Sequence, residues 1–340
     1  MGKNIEILQN IKLADYSTIK VGGHAEYFCI TNSRAELLQA IEWARLKDIP
    51  LTIIGWGSNT LISDNGIQGL VIVNKFSNEI TISGELQRFT LKEAKAIESR
   101  LDQLDTTEYY QFADLDYDES HLPITEVKME AGVPWTMAVN STIAKGLTGL
   151  QYFSGIPGTV GGAVYNNMHG GTHFVSEFIK EVEVITISGE IKIIKASELE
   201  FDYDFSRFHN QPDIILAVNF NLHYGDKERA LKTSMEWARR KKQQPARSLG
   251  CTWKNISEEL KEKLGFDSTS MGYIVDKKLN LKGAKIGKAK ISDFHAAFIE
   301  TKDGATANDV YELIKLVRKT AEDKYQFSPE LEIVLKGNFI

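Results

Sequence analysis

At 340 residues, 42% of them apolar and 25% charged, the chain is too long for one small core and is composed like a globular protein of two or three domains. A formal net charge of −6, with both signs mixed along most of the sequence, argues against a general nucleic-acid or anionic-membrane surface. No apolar run approaches the roughly 20 residues that span a bilayer. No signal peptide is visible, and two cysteines, Cys29 and Cys251, build no disulfide framework, so a reduced, cytoplasmic protein is expected.

Ala35 to Lys47 places Leu37, Leu38, Ile41 and Ala44 on one helical face, and Pro50 ends it. Leu51 to Ile54 reads as a short strand opening into Gly55-Trp56-Gly57-Ser58-Asn59, and Gly69 to Val73 as a second strand, an α/β pattern. From 78 to 125 the texture changes: Lys92 to Leu104 looks helical and Asp114 to His121 is acidic, which suggests a surface insertion. Glu126 to Ala131 alternates as a strand, and a helix is expected over Thr136 to Lys145. Strands follow around Glu181 to Ile187 and Glu190 to Lys195, joined at Ser188-Gly189, and then Asp213 to Leu222. A helix from Lys227 to Lys242 separates this half from the rest. In the last hundred residues Met271 to Asp276, Ala284 to Lys290, Ala297 to Glu300 and Glu332 to Leu335 are strand-like. Thr306 to Lys324 is amphipathic, with Thr306 or Asn308 as its cap.

Five segments have the residue types that chemistry requires. Gly55 to Asn59 sits at a strand end, where backbone comes close to ligands, although tight turns share this composition. The run Gly155-Ile156-Pro157-Gly158-Thr159-Val160-Gly161-Gly162-Ala163 has four glycines in eight residues and one fixed φ. Its amides suit phosphate oxygens, and the alternative is a purely structural glycine loop. It is neither GxGxxG nor a P-loop. Cys251 lies in Ser248-Leu-Gly-Cys-Thr-Trp-Lys-Asn255, either a small buried hydrophobe or a thiol needing a partner such as His295. Glu332 enters an apolar strand, facing core or solvent. Arg239-Arg240-Lys241-Lys242 is a solvated helix end or a phosphate contact. The histidines and cysteines lack metal-ligand spacing, so no metal site is expected.

In order, these segments resemble the UDP-N-acetylenolpyruvoylglucosamine reductase family from about Thr18 to Gly337. Ser17 to Ala25, Gly55 to Asn59, Asp64 with Gly69 to Ile72, Gly146 to Leu150, Gly155 to Ala163, Gln244-Pro245, Ser248 to Asn255, Met271 to Val275, Leu281 to Gly283, His295 to Ile299, Ala305 to Val310 and Glu332 with Gly337 carry the similarity. The resemblance implies an α+β protein: a two-part FAD-binding module of the vanillyl-alcohol-oxidase type plus a smaller C-terminal substrate domain. Its segments would be 1–77, a 78–125 insertion, 126–226 and 227–340. It implies FAD held by the two glycine loops, NADPH as reductant, and a nucleotide-sugar substrate. A monomer without nucleic-acid partner or membrane insertion is expected. Hydride would pass from flavin N5 to C3 of the enolpyruvyl ether, with a proton delivered to C2. Cys251 falls on the family's proton donor, usually serine; Glu332 on the assisting glutamate; Asn255 and Lys282 on substrate-binding positions.

One position departs. In Tyr203-Asp-Phe-Ser-Arg-Phe208 the family's catalytic arginine is replaced by Asp204, whose charge would oppose a developing anion. Arg207, three residues on, is the candidate to compensate. The alternative is a paralogous flavin- or nucleotide-sugar-binding protein with lost or altered reductase activity.

Overall fold

The computed structural model describes residues 5–75, 79–88 and 115–339. The helix expected over Lys92 to Leu104 lies outside them. The chain divides into two compact units, one of Met1–Ile5, Ile30–Trp43 and Asn74–Gln243, the other of Glu6–Cys29, Ala44–Val73 and Gln244–Ile340.

The first unit is built on a seven-stranded antiparallel sheet. Ile191–Lys195, Ile179–Ile185, Ile214–Tyr224, Ile124–Glu130, Glu79–Ile82 and Glu85–Arg88 lie in that order, and Leu147–Thr148 pairs with the long central strand. Period-two alternation puts Val127, Met129, Val182, Val184, Val218 and Phe220 on the buried face, all at 0% exposure. Each such side chain contributes roughly 1.5–3 kcal/mol by burial. Trp135, Ala138, Val139 and Ile143 of the helix Trp135–Ala144 complete this core with Val160 and Val164 of the helix Val160–Tyr165. The helix Lys227–Lys242 starts where Asp226 caps it, one carboxylate oxygen accepting from the amides of Glu228 and Arg229 at 3.0 Å.

The second unit carries a four-stranded sheet in the order Leu8–Lys12, His24–Thr31, Ile67–Asn74, Leu51–Ile54, whose last two strands run parallel. A further parallel pair joins Thr60–Ile62 to Val334–Lys336. The helix Ala307–Tyr325 is capped by Thr306, and the Asp64 carboxylate also accepts from the amides of Ala307 (2.9 Å) and Asn308 (2.8 Å). Its buried face is Val310, Leu313, Ile314 and Val317.

Three C-terminal expectations need correction. Met271 to Asp276 is a helical turn, Met271–Tyr273, running into a π-helical turn, Ile274–Lys278. Met271, Ile274 and Val275 are spaced i, i+3, i+4, and Ser270 caps the turn, so the period is helical. Ala284 to Lys290 is two strands, Lys285–Ile286 and Ala289–Ile291, reversed at Gly287 with φ +53°. The closing strand is Val334–Lys336, which leaves Glu332 ahead of it.

Candidate functional site

In the first unit the glycine-rich run is fastened to the backbone of 131–135. Trp135 N–H donates to Gly158 O (3.0 Å), Val160 N–H to Val133 O (2.9 Å) and Gly161 N–H to Ala131 O (2.8 Å). Two of its glycines are demanded by this packing. A Cβ on Gly161 would stand 2.9 Å from Ala131 Cβ, and one on Gly155, at φ +80°, 2.8 Å from Ala238 Cα. Gly162 differs, for it is exposed and a Cβ there would meet only Thr159 Oγ1, at 3.5 Å. Among the described residues no acceptor faces the amides of Gly158 and Thr159. Past the following helix, Asn166 Oδ1 is buried and has no partner among the described residues. A buried amide oxygen left unpaired is costly, so this one awaits a donor.

The turn Asp202–Ser206 is tied to the far end of the same helix. Asn167 Nδ2 donates to Asp202 O (2.9 Å) and Ser206 Oγ to Tyr165 O (2.6 Å). Asp204 adopts φ +49°, and its Oδ1 lies 3.1 Å from Nδ1 of His169. The Asp204 side chain is only 6% exposed and that of His169 is 33% exposed. The His169 ring stacks on Tyr203, centroids 5.2 Å apart. Arg207 points to Asp213 (3.5 Å) and the Glu198 carbonyl (3.4 Å). Of the basic cluster, Arg239 and Arg240 both engage Glu236, whose carboxyl they hold below its usual range, Arg239 foremost.

A separate concavity of this unit is lined by Asp116, Tyr152, His173 and Trp237 and contains none of the residues above. Burial pushes the neighbouring Tyr117 hydroxyl up to about 12, which keeps it protonated.

In the second unit five distant stretches meet backbone to backbone. Gly57, at φ +59°, leaves no room for a side chain, since a Cβ would lie 2.4 Å from Tyr16 O. Its carbonyl accepts from the Thr18 amide and Ser17 Oγ, both at 3.2 Å. Trp56 beside it is exposed. Asn59 Nδ2 donates to Glu332 O (3.2 Å), and Val334 N–H donates to Asn59 O (2.9 Å). Glu332 N–H in turn donates to Thr252 O (3.0 Å), and Thr252 N–H to Ala297 O (2.8 Å). Cys251, half-buried and in no disulfide, pairs with Phe298 in an isolated antiparallel β-bridge. Gly55–Asn59, Cys251 and Glu332 are thus brought together.

His295 joins this group through Phe298, whose amide donates to His295 O at 2.9 Å. The Ala297 amide donates to His295 Nδ1 (3.3 Å), which assigns the ring proton to Nε2. Gly272 admits the ring, since a Cβ there would be 2.5 Å from Cε1. Asn255 and Lys282 are exposed, Asn255 Oδ1 accepting from the Met271 amide (3.0 Å) and Lys282 Nζ lying 3.3 Å from Asp276. Sequence reasoning passed over Asn166 and His169. The first follows the glycine run directly, and its position was the available signal; the second had none, because its partner is 35 residues away.

Among the described residues no group of three or more His, Cys, Asp or Glu side chains is placed to hold a metal, and no helix is long and apolar enough to cross a membrane.

The model of the UDP-N-acetylenolpyruvoylglucosamine reductase C-terminal domain matches residues 242–336, and that of an FAD binding domain matches 115–195. A Lactobacillus acidophilus UDP-N-acetylenolpyruvoylglucosamine reductase is 30% identical over 339 residues, 98% of this chain and 96% of the relative. A Prochlorococcus marinus protein of the same name is 31% identical over 333 residues, 97% and 98% of the two chains. The crystal structure of the Thermus caldophilus reductase superposes with a TM-score of 0.68 at 27% identity, covering 98% of this chain and 99% of that one. The fold is therefore an FAD-binding module with a C-terminal domain of that reductase type.

Proposed function

The chain belongs to the UDP-N-acetylenolpyruvoylglucosamine reductase family of FAD-dependent oxidoreductases, and from that premise we propose that it reduces UDP-N-acetylglucosamine enolpyruvate to UDP-N-acetylmuramate with NADPH, a step of peptidoglycan precursor synthesis. The observation that carries this reading is the run of hydrogen bonds from the Asn59 side chain through Glu332 and Thr252 to Ala297, which holds Cys251 and Glu332 beside the first glycine loop.

The residues present fit a flavin. The open side of Gly162, the unengaged amides of Gly158 and Thr159 and the orphan Asn166 Oδ1 are a donor–acceptor set that the protein leaves unsatisfied around the second loop. Ile156, Pro157, Gly161 and Ala163 shape that loop. When bound, FAD supplies a hydride for C3 of the enolpyruvyl ether, drawn from NADPH.

Cys251 holds the proton that C2 must receive. A thiol with an ordinary pKa near 8.5 is mostly protonated at neutral pH and is a stronger acid than the hydroxyl of serine. Glu332, its main chain pinned by Asn59 and Thr252, assists at the charged stage. Lys282 meets the diphosphate by exchanging its exposed contact with Asp276, an ion pair worth at most about 1 kcal/mol. Asn255 is the other substrate contact. Arg207 can act on the developing anion only by giving up Asp213 and the Glu198 carbonyl.

The test is to purify the protein, record its flavin absorbance, and follow NADPH oxidation with and without the enolpyruvyl nucleotide sugar. Substrate-dependent oxidation is expected. A yellow protein with no such turnover sinks the reductase assignment and favours the binding protein that Asp204 otherwise suggests.

A further inference from the structure

We propose that His169, oriented by Asp204, is a hydrogen-bond donor of the first unit to the anionic end of the substrate; this rests on the reductase reading above. Reduction at C3 drives negative charge toward the substrate's carboxylate, and that charge needs a positioned donor. An aspartate at 204 opposes it only if its carboxylate faces the substrate. In the structure that carboxylate is turned inward: its side chain is 6% exposed, and its Oδ1 is paired with the 33%-exposed imidazole of His169.

The pair is rigidly mounted. Asn167 and Ser206 pin the 202–206 turn to the helix that begins in the glycine-rich run, and the left-handed backbone at Asp204 sets the direction of its side chain. Tyr203 on one side, with rings 27° from parallel, and Phe174, centroids 6.0 Å away, fix the plane of His169.

Donor counting then assigns the roles. A carboxylate only accepts, so Nδ1 of His169 carries a proton toward Asp204 Oδ1 at 3.1 Å. Nε2 is left for what arrives. An imidazole between two carboxylates, one fixed and one brought by the substrate, satisfies both only as the doubly protonated ring. No proton need leave it during the reaction, and Asp204 acts as its positioning residue.

The experiment separates the two halves of the reaction in anaerobic holoenzyme. NADPH first bleaches the flavin, and reoxidation by the enolpyruvyl nucleotide sugar is then timed. His169→Asn is expected to slow reoxidation about 100-fold, the size of a lost oxyanion donor, while reduction by NADPH stays within about threefold. Asp204→Asn should slow reoxidation about tenfold, as loss of an orienting partner does. Asp204→Arg should also slow it; faster turnover would mean a damaged arginine site and overturn the proposal. So would reoxidation of His169→Asn at the wild-type rate. Independently of any variant's folding, diethyl pyrocarbonate modification of wild-type His169, mapped by peptide mass, should be blocked by bound substrate. Labelling that substrate leaves unchanged overturns the donor role. Wild-type flavin that the nucleotide sugar never reoxidises is a different failure, because it removes the reductase reading and this proposal with it.

Discussion

In the second unit Asn59, Thr252, Ala297 and Glu332 come from distant stretches and are joined by main-chain bonds among Asn59, Val334, Glu332, Thr252 and Ala297 and by the Asn59 side chain, so the candidate side chains sit on a scaffold spread over several segments. In the first unit the glycine run, Asn166 and His169 occupy 15 consecutive residues, 155–169, wrapped around one short helix. On the proposed reading, the distributed arrangement carries a glutamate and a thiol where the resemblance implies a glutamate and a serine, whereas the local arrangement carries Asp204 where it implies an arginine. A site on one short segment can be rebuilt by a few substitutions, whereas backbone pairing among four segments fixes their register.

The largest expected effect tests the distributed half. Cys251→Ala should lower substrate-dependent NADPH oxidation about 100- to 10,000-fold, the range for a lost general acid, with flavin retained, and Cys251→Ser should restore most of it. Equal rates for all three would leave the second unit without its acid. Next comes Gly57→Ala, which sets a Cβ against Tyr16 O and forces alanine to φ +59°; roughly 1–3 kcal/mol of stability should be lost in denaturant unfolding. A smaller contrast sharpens the local half. Gly161→Ala should destabilise by about 1 kcal/mol or more through Ala131, while Gly162→Ala leaves the melting temperature near wild type and weakens flavin retention. A stability loss at Gly162 matching that at Gly161 would show that both glycines serve packing alone.

The smallest effect is one of pH. Glu236, depressed mainly by Arg239 and then by Arg240, contributes stability that is fully present above its unfolded value near 4.3 and is lost as pH falls through the lower folded value. Melting temperatures of wild type and Glu236→Gln should therefore differ most at neutral pH and converge as pH falls through the lowered folded value. A constant difference would mean that the pair stabilises by packing, not charge.

Much of the framework was legible. Lys227 to Lys242 has its helical range, and Leu51 to Ile54 is bounded by Pro50 and Gly55. Met271 to Asp276 differs from its strand-like reading because a short apolar run fits either period, and the deciding bonds run from backbone amides to the side chains of Ser270 and Asn255. Asp204 was legible as a residue type but not as an orientation. Read alone it is a charge in the wrong place; beneath His169 it is an acceptor for a ring. Burial, not spacing, carries that distinction, and no local pattern in the sequence encodes it.

The tie between Asn59 and Glu332 spans 273 residues of sequence. On the ribosome, the first glycine loop therefore emerges long before the carbonyl that its asparagine must find. Until then the parallel partner of Thr60–Ile62 does not exist, and that strand waits with an open edge. The second unit is closed by residues made long after its first glycine loop, so a chain cut short before Glu332 loses the shape of a loop synthesised 273 residues earlier.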